Sequence, residues 1–195
     1  QWSPEDVIEG IVEAKHVGLG VKVNTVVKKN LNEDQILPLL KQFQELEIPL
    51  RFIEFMDVGN TNAWNLKDVV SGQEIRRTIE SKHGKLTPVP PANRGEVAKR
   101  FTLPHGYEIG CIESVTAPFC GDCTRARLSA NGSIYTCLFA SKGNDLKSML
   151  RMNATSDEIS NAIQSIWAKR SDRYSEERSE HTDSTKKVEM SFIGG

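Results

Sequence analysis

A chain of 195 residues with 38% apolar residues, 26% charged residues and a net charge of -1 has enough apolar material for a sizeable core, arranged as one large or two small domains. It carries no basic excess to favour nucleic acid, no apolar run long enough to span a bilayer, and no charged start followed by an apolar core of the kind secretion uses. Neither nucleic acid nor a membrane is therefore an expected partner, and the cytoplasm is the expected compartment; four cysteines confined to positions 111–137 then argue for a metal site over disulfides.

Ser3-Pro4-Glu5-Asp6 supplies an N-cap, a proline for the first helical position and acids for the first turn. A helix is expected from there to Gly18–Gly20, with Val7, Ile8, Ile11, Val12 and Ala14 on its apolar face. Val21 to Val27 reads as a strand on which Lys22, Asn24 and Val26 share one face. That face is either merely solvated or, in a parallel barrel sheathed by helices, directed into the lumen where ligands sit. Asn32-Glu33-Asp34-Gln35 resembles a capping box for a second helix, with Ile36, Leu39, Leu40, Phe43 and Leu46 apolar and Pro38 moving the regular start toward Leu37. Leu50 to Met56 is a dense apolar strand holding Arg51 and Glu54, whose charges need partners, and a third helix is expected from Ser71, boxed by Glu74, to His83-Gly84. This βαβα alternation implies parallel strands and right-handed crossovers, an α/β sheet or an incomplete barrel.

Past the prolines at 88–91 the pattern changes, and a domain boundary is expected near Pro91, separating 1–91 from 92–195. Val97 to Leu103 and Tyr107 to Ile112 read as antiparallel strands turned at Pro104-His105-Gly106. Helices are expected at about Asp145 to Arg151 and from Thr155 to Lys169, the second with Ile159, Ile163, Ile166 and Trp167 facing a core. Ser171 to Glu189 is charge-dense and expected to be extended and mobile, before Met190 to Ile193 turns apolar and Gly194-Gly195 follows. His16, His83, His105 and His181 have no second ligand at suitable spacing and read as surface residues.

The chemistry concentrates between Cys120 and Cys137. Cys120-Gly121-Asp122-Cys123 aims its sulfurs at one metal, with Gly121 permitting a tight turn, and Asn131-Gly132 signals a hairpin that returns Cys137 toward the pair. Three cysteines are one short of a structural zinc shell and suit an iron-sulfur cluster with one open iron; on spacing alone, zinc and iron-sulfur both stand. Arg125 and Arg127, at alternate positions, offer always-charged forks for a phosphate or carboxylate. A plain two-residue turn at Asn131-Gly132 would set Cys137 opposite Ala126, on the face away from both arginines, so either a bulge in the hairpin or a cluster at its open end is expected. Cys111, in an apolar row with Tyr107 and Ile109, is not expected to be a ligand.

The segment Cys120-x-x-Cys123-Thr124-Arg125-Ala126-Arg127 with Cys137, the strand Arg51-Phe52-Ile53-Glu54-Phe55-Met56, the run Asp172-Arg173-Tyr174-Ser175-Glu176-Glu177-Arg178 and the terminal Gly194-Gly195 resemble the molybdenum cofactor biosynthesis protein A family, radical S-adenosylmethionine (SAM) GTP 3',8-cyclases. The resemblance implies the later βα units of an incomplete radical SAM barrel followed by an α+β domain whose antiparallel strands hold a cluster. It implies that Cys120, Cys123 and Cys137 carry a 4Fe-4S cluster whose open iron binds guanine. Lys22, Arg51, Arg125, Ala126 and Arg127 then contact GTP, Asn24 and Met56 line the SAM site, and Gly194-Gly195 is needed for turnover. The implied product is 3',8-cyclo-7,8-dihydro-GTP, passed to a cyclic pyranopterin monophosphate synthase, and a homodimer is compatible with the family. The Cys-x-x-x-Cys-x-x-Cys motif that holds the family's first cluster is absent from this sequence. A C-terminal fragment, inactive alone, is therefore expected; the alternative is a zinc-stabilised, non-catalytic interaction module.

Overall fold

The computed structural model describes residues 3–178 and 187–193; Gly194, Gly195 and His181 lie outside the described residues. The chain divides into two compact units, residues 1–55 with 67–117 and residues 56–66 with 118–195. Among the described residues no helix is long and apolar enough to cross a membrane.

The first unit is a mixed α/β layer. Its helices are α1 (Pro4–His16), α2 (Ile36–Glu45) and α3 (Gly72–His83), and its strands β1 (Val23–Val27), β2 (Leu50–Glu54), β3 (Thr87–Val89), β4 (Lys99–Thr102) and β5 (Glu108–Ile112) form a single sheet in the order β1-β2-β5-β4-β3. β1, β2 and β5 run parallel, as helical crossovers require, while β3 and β4 are antiparallel additions. The strands expected past Pro91 are thus formed, but β4 and β5 join the sheet of β1 and β2, and the compact units part after Ala117. Hydrogen-bond register decided this: β5 pairs Ile109 with Leu50 and Cys111 with Phe52, carrying the buried row of β2 into its neighbour.

One sheet face supplies Val27, Leu50, Phe52, Ile109 and Cys111 to a core completed by Ile36, Leu40 and Phe43 of α2 and Ile75 and Ile79 of α3. α1 begins at the expected cap, Ser3 Oγ accepting from the Asp6 N–H at 3.1 Å while the Asp6 carboxylate accepts from the Ser3 N–H at 2.8 Å. Of its apolar face, Ile8 and Ile11 pack on the core, whereas Val7 and Val12 are exposed. α3 has the expected capping box of Ser71 and Glu74. The box expected at Asn32 does not form, because the Asn32 amide accepts from Lys28 N–H at 2.8 Å and donates to the Val26 carbonyl at 2.9 Å. A 3-10 turn, Glu33–Gln35, precedes α2, which starts at Ile36 and leaves Pro38 in its first turn.

Glu54 shows how a charge inside an apolar strand is accommodated. Its carboxylate, 1% exposed, accepts from the N–H groups of Gly72 at 2.8 Å, Val115 at 2.8 Å and Thr116 at 2.9 Å, and from the Thr116 hydroxyl. Backbone donors, one of them at the start of α3, replace a cation and pin the end of β2.

In the second unit, β6 (Arg127–Leu128), β7 (Ser133–Tyr135) and β8 (Asn144–Asp145) make an antiparallel sheet in that order, with α4 (Lys147–Arg151), α5 (Ser156–Ala168) and α6 (Tyr174–Glu177) around it in sequence. The core role expected of α5 is not realised: none of its residues is buried, and Ile163 and Trp167 are 38% and 37% exposed. The stretch expected to be extended is also structured where described, since it forms α6 and buries Lys187, for the reason given below.

Candidate metal and anion site

Cys120 opens a 3-10 turn, Cys120–Asp122, closed by the Cys123 N–H donating to the Cys120 carbonyl at 3.3 Å. Gly121 is not what permits this turn: it has no positive φ, and a Cβ there would meet nothing within 4 Å. Gly132 is the glycine that matters. Arg127 pairs with Tyr135 and Leu128 with Ile134, so the hairpin closes through three residues, Ala130, Asn131 and Gly132, rather than two. A turn from Ser129 to Gly132 (N–H to carbonyl, 2.9 Å) is followed by Gly132 at φ 81°, the bulged alternative of the sequence reading. Continued past its last pair, this register sets Cys137 level with Arg125 rather than Ala126, moving it to the arginine side by one residue. The strands themselves are short: only Arg127 and Leu128 of the first are in the ladder, and Arg125 and Ala126 precede it as exposed residues.

All of Cys120, Cys123 and Cys137 are free and partly exposed, while Cys111 is buried in the first unit's core. The Cys123 sulfur accepts from Arg125 Nε at 3.3 Å and the Cys137 sulfur from the Phe139 N–H at 3.5 Å. Burial works to raise the Cys123 thiol, but the Arg125 hydrogen bonds and the charges of Arg125 and Arg170 outweigh it and hold the thiol below its ordinary value. Cys137 is pushed up by burial, with Asp172 and Cys120 adding to the effect. Thiolates near one another disfavour their own ionisation, and a bound cation reverses that balance. In donor chemistry the set therefore fits a soft metal centre. In arrangement it is not assembled: among the described residues no group of three or more His, Cys, Asp or Glu is placed to hold a metal ion.

Arg170 is a participant that the sequence reading missed. Its Nη1 donates to the Cys123 carbonyl at 2.6 Å, its Nε meets Asp172 at 3.3 Å, and its guanidinium lies 5.1 Å from the Trp167 ring. Asp172 also accepts from the Thr136 hydroxyl at 2.6 Å, tying the approach to Cys137 to the same group. The guanidinium of Arg125 rests 5.1 Å from the Phe119 ring. Position in the sequence offered little sign of Arg170, one of two adjacent cations just past α5.

The remaining sequence candidates fall elsewhere. In the first unit, Lys22 and Asn24 are exposed and alternate with the more buried Val21, Val23 and Thr25. Asn24 and Arg51 are register partners on β1 and β2, and Arg51 is followed across the sheet by Gly110. A Cβ on Gly110 would lie 2.9 Å from Arg51 Cγ, so this glycine makes room for the arginine stem. Met56 lies in the second unit, where its carbonyl accepts from the Asn62 amide at 2.8 Å.

A family model described as Molybdenum Cofactor Synthesis C matches residues 48–176. The chain is 45% identical over 194 residues to the GTP 3',8-cyclase of Staphylococcus haemolyticus, and 44% identical over 194 residues to that of Staphylococcus aureus. Each match covers 97% of the chain and 57% of the relative, so the chain spans a little over half the length of these proteins.

Proposed function

Because the chain belongs to the Molybdenum Cofactor Synthesis C family, we propose that it is the C-terminal part of a GTP 3',8-cyclase, supplying the substrate-binding half of a SAM-dependent radical enzyme. The observation that carries this reading is the cationic setting of the thiols. Arg125 donates to the Cys123 sulfur and Arg170 to the Cys123 carbonyl, so positive charge and soft-metal donors share one place. Cys120, Cys123 and Cys137 would hold a 4Fe-4S cluster, which when bound supplies an open iron for a guanine nitrogen. Arg125, Ala126 and Arg127 lie against GTP, the arginines neutralising its phosphates with charge-assisted bonds. Lys22 and Arg51 add cations to the same substrate, Asn24 and Met56 line the SAM site, and Gly194-Gly195 is required for turnover.

In this reading β1, β2 and β5 are later strands of a radical SAM barrel, and residues 92–195 form the GTP-binding part, a functional division near Pro91 that does not follow the compact units, since β4 and β5 pair into the first sheet. The chain's contribution is positioning, since the difficult bond cleavage belongs to SAM and its own cluster. The product passes to a cyclic pyranopterin monophosphate synthase in the cytosol, the enzyme acts as a homodimer, and the present chain alone is inactive.

Anaerobic reconstitution of the complete protein followed by iron, sulfide and zinc analysis tests the centre, and calorimetric titration with GTP tests the arginines. Arg125→Ala and Arg127→Ala should each weaken GTP binding by about 1.5 to 3 kcal/mol, the contribution of a hydrogen bond to a charged group. Zinc without sulfide would replace this reading with a zinc-stabilised, non-catalytic module; unchanged GTP affinity in both variants would remove the arginines from the site.

A further inference from the structure

Within the second unit, Asp57 is completely buried beside Met56, yet it is the meeting point of two cations and a phenol. Lys187 Nζ reaches its carboxylate at 2.7 Å and its backbone carbonyl at 2.8 Å, Arg178 Nε donates to the other carboxylate oxygen at 2.8 Å, and the Tyr174 hydroxyl donates as well. The Lys187 and Arg178 side chains are only 2% and 5% exposed. Aromatic faces also line both cations. The Lys187 ammonium lies 4.5 Å from the Tyr174 ring and 5.6 Å from Phe139, and the Arg178 guanidinium 5.2 Å from Phe139 and 5.7 Å from Trp64. Phe139 and Tyr174 are stacked at 4.6 Å.

The cage joins four stretches of chain, one of them Tyr174–Arg178. Asn60 brackets Lys187 by donating to its carbonyl at 2.6 Å and accepting from its N–H at 2.9 Å, and the Asn60 N–H donates to Glu189 at 2.9 Å. The Val188 N–H donates to the carbonyl of Ala140, the residue after Phe139, at 3.1 Å. Ile193, 1% exposed, anchors the end of the described segment. Thus the loop that carries Met56, the stretch following Cys137 and the segment leading into the terminal glycines are held by the same buried charges. A buried ion cluster is weak evidence for stability, because well-packed apolar residues do as well, but removing one partner leaves a buried charge uncompensated.

We propose that Asp57 is a positioning residue which, through Lys187, Arg178 and Tyr174, fixes the segment Lys187–Ile193 against the Met56 loop and so sets the turnover rate. The effect on turnover rests on the cyclase reading above; the clamping does not. The test uses the complete protein with Asp57→Asn and, as a milder variant that leaves Asp57 paired with Arg178, Lys187→Met. Amide hydrogen exchange of residues 187–193 should quicken at least about tenfold in both, with α3 in the other unit unchanged. In the cyclisation assay kcat should fall at least about tenfold while KM for GTP stays within about twofold, because neither residue belongs to the proposed GTP contacts. Protected amides in folded Lys187→Met protein would overturn the clamp. Released amides with an unchanged kcat would overturn the positioning role. If the wild-type complete protein cyclises no GTP, the cyclase reading fails, and the exchange result alone decides the clamp.

Discussion

Replacing Gly132 by Ala tests whether the three-residue hairpin loop sets the register of the cysteine site. At φ 81° an L-residue is costly, by about 1 to 2 kcal/mol. An added Cβ would also stand 2.7 Å from Lys147 Cβ and 3.3 Å from Lys147 Cα, and these atoms cannot swing away, because the Leu146 and Lys147 N–H groups donate to the Gly132 carbonyl at 3.0 and 3.1 Å. Crowding of this kind costs about 1 to 3 kcal/mol. Against it, the Ala-containing unfolded chain has less entropy to lose, an offset of about 0.4 to 1 kcal/mol. The expected loss is centred near about 3 kcal/mol. Urea unfolding followed by tryptophan fluorescence reads it where it matters, since Trp64 and Trp167 both lie in the second unit. Gly121→Ala is the control, expected to stay within about 0.5 kcal/mol because its Cβ would meet nothing. Equal stabilities for the two variants would refute the assigned loop, and with it the placement of Cys137 on the arginine side.

Cys111, whose thiol is pushed up to about 11 mainly by burial, should resist iodoacetamide in the metal-free native chain. Cys123, held below its ordinary value, should react first and Cys137 later; mass spectrometry of timed digests showing Cys111 labelled as fast as Cys123 would contradict the core placement. Tyr107→Phe removes a hydroxyl that donates to the Ile48 carbonyl at 2.6 Å and should cost about 1 to 2 kcal/mol in a urea melt. Burial raises the Tyr107 phenol from 10.0 to about 12, so its contribution holds below pH 10 and declines as pH climbs toward 12; the Phe variant should lack that alkaline decline. For Asp57, burial opposes ionisation, but the Lys187 and Tyr174 hydrogen bonds and the Arg178 and Lys187 charges depress its carboxyl below 3.8. Its stabilisation is thus present above that value and lost as pH falls beneath it, so acid should release residues 187–193 from exchange protection in wild type, whereas Asp57→Asn should show no such acid step.

What the sequence determined by itself was local. Ser3 and Ser71 cap helices where the sequence places them, because each cap is closed within one turn. The alternation of β1 was legible for the same reason, and so was the buried fate of Cys111. The cysteine spacing and the arginines beside it marked the candidate site. Tertiary structure decided what depends on partners remote in sequence. Whether Glu54 would meet a cation or backbone donors depended on where residues 115 and 116 arrive, and whether β4 and β5 would begin a new domain depended on register with β2. The one-residue choice between turn types was beyond an Asn-Gly signal, because the cost of either loop is set by Lys147 packing on Gly132. Most of all, the charge-dense stretch near the C-terminus reads as solvated until Asp57, far upstream, withdraws Lys187 and Arg178 from water; a buried charge is stable only through its partner, and the partner is a property of the fold.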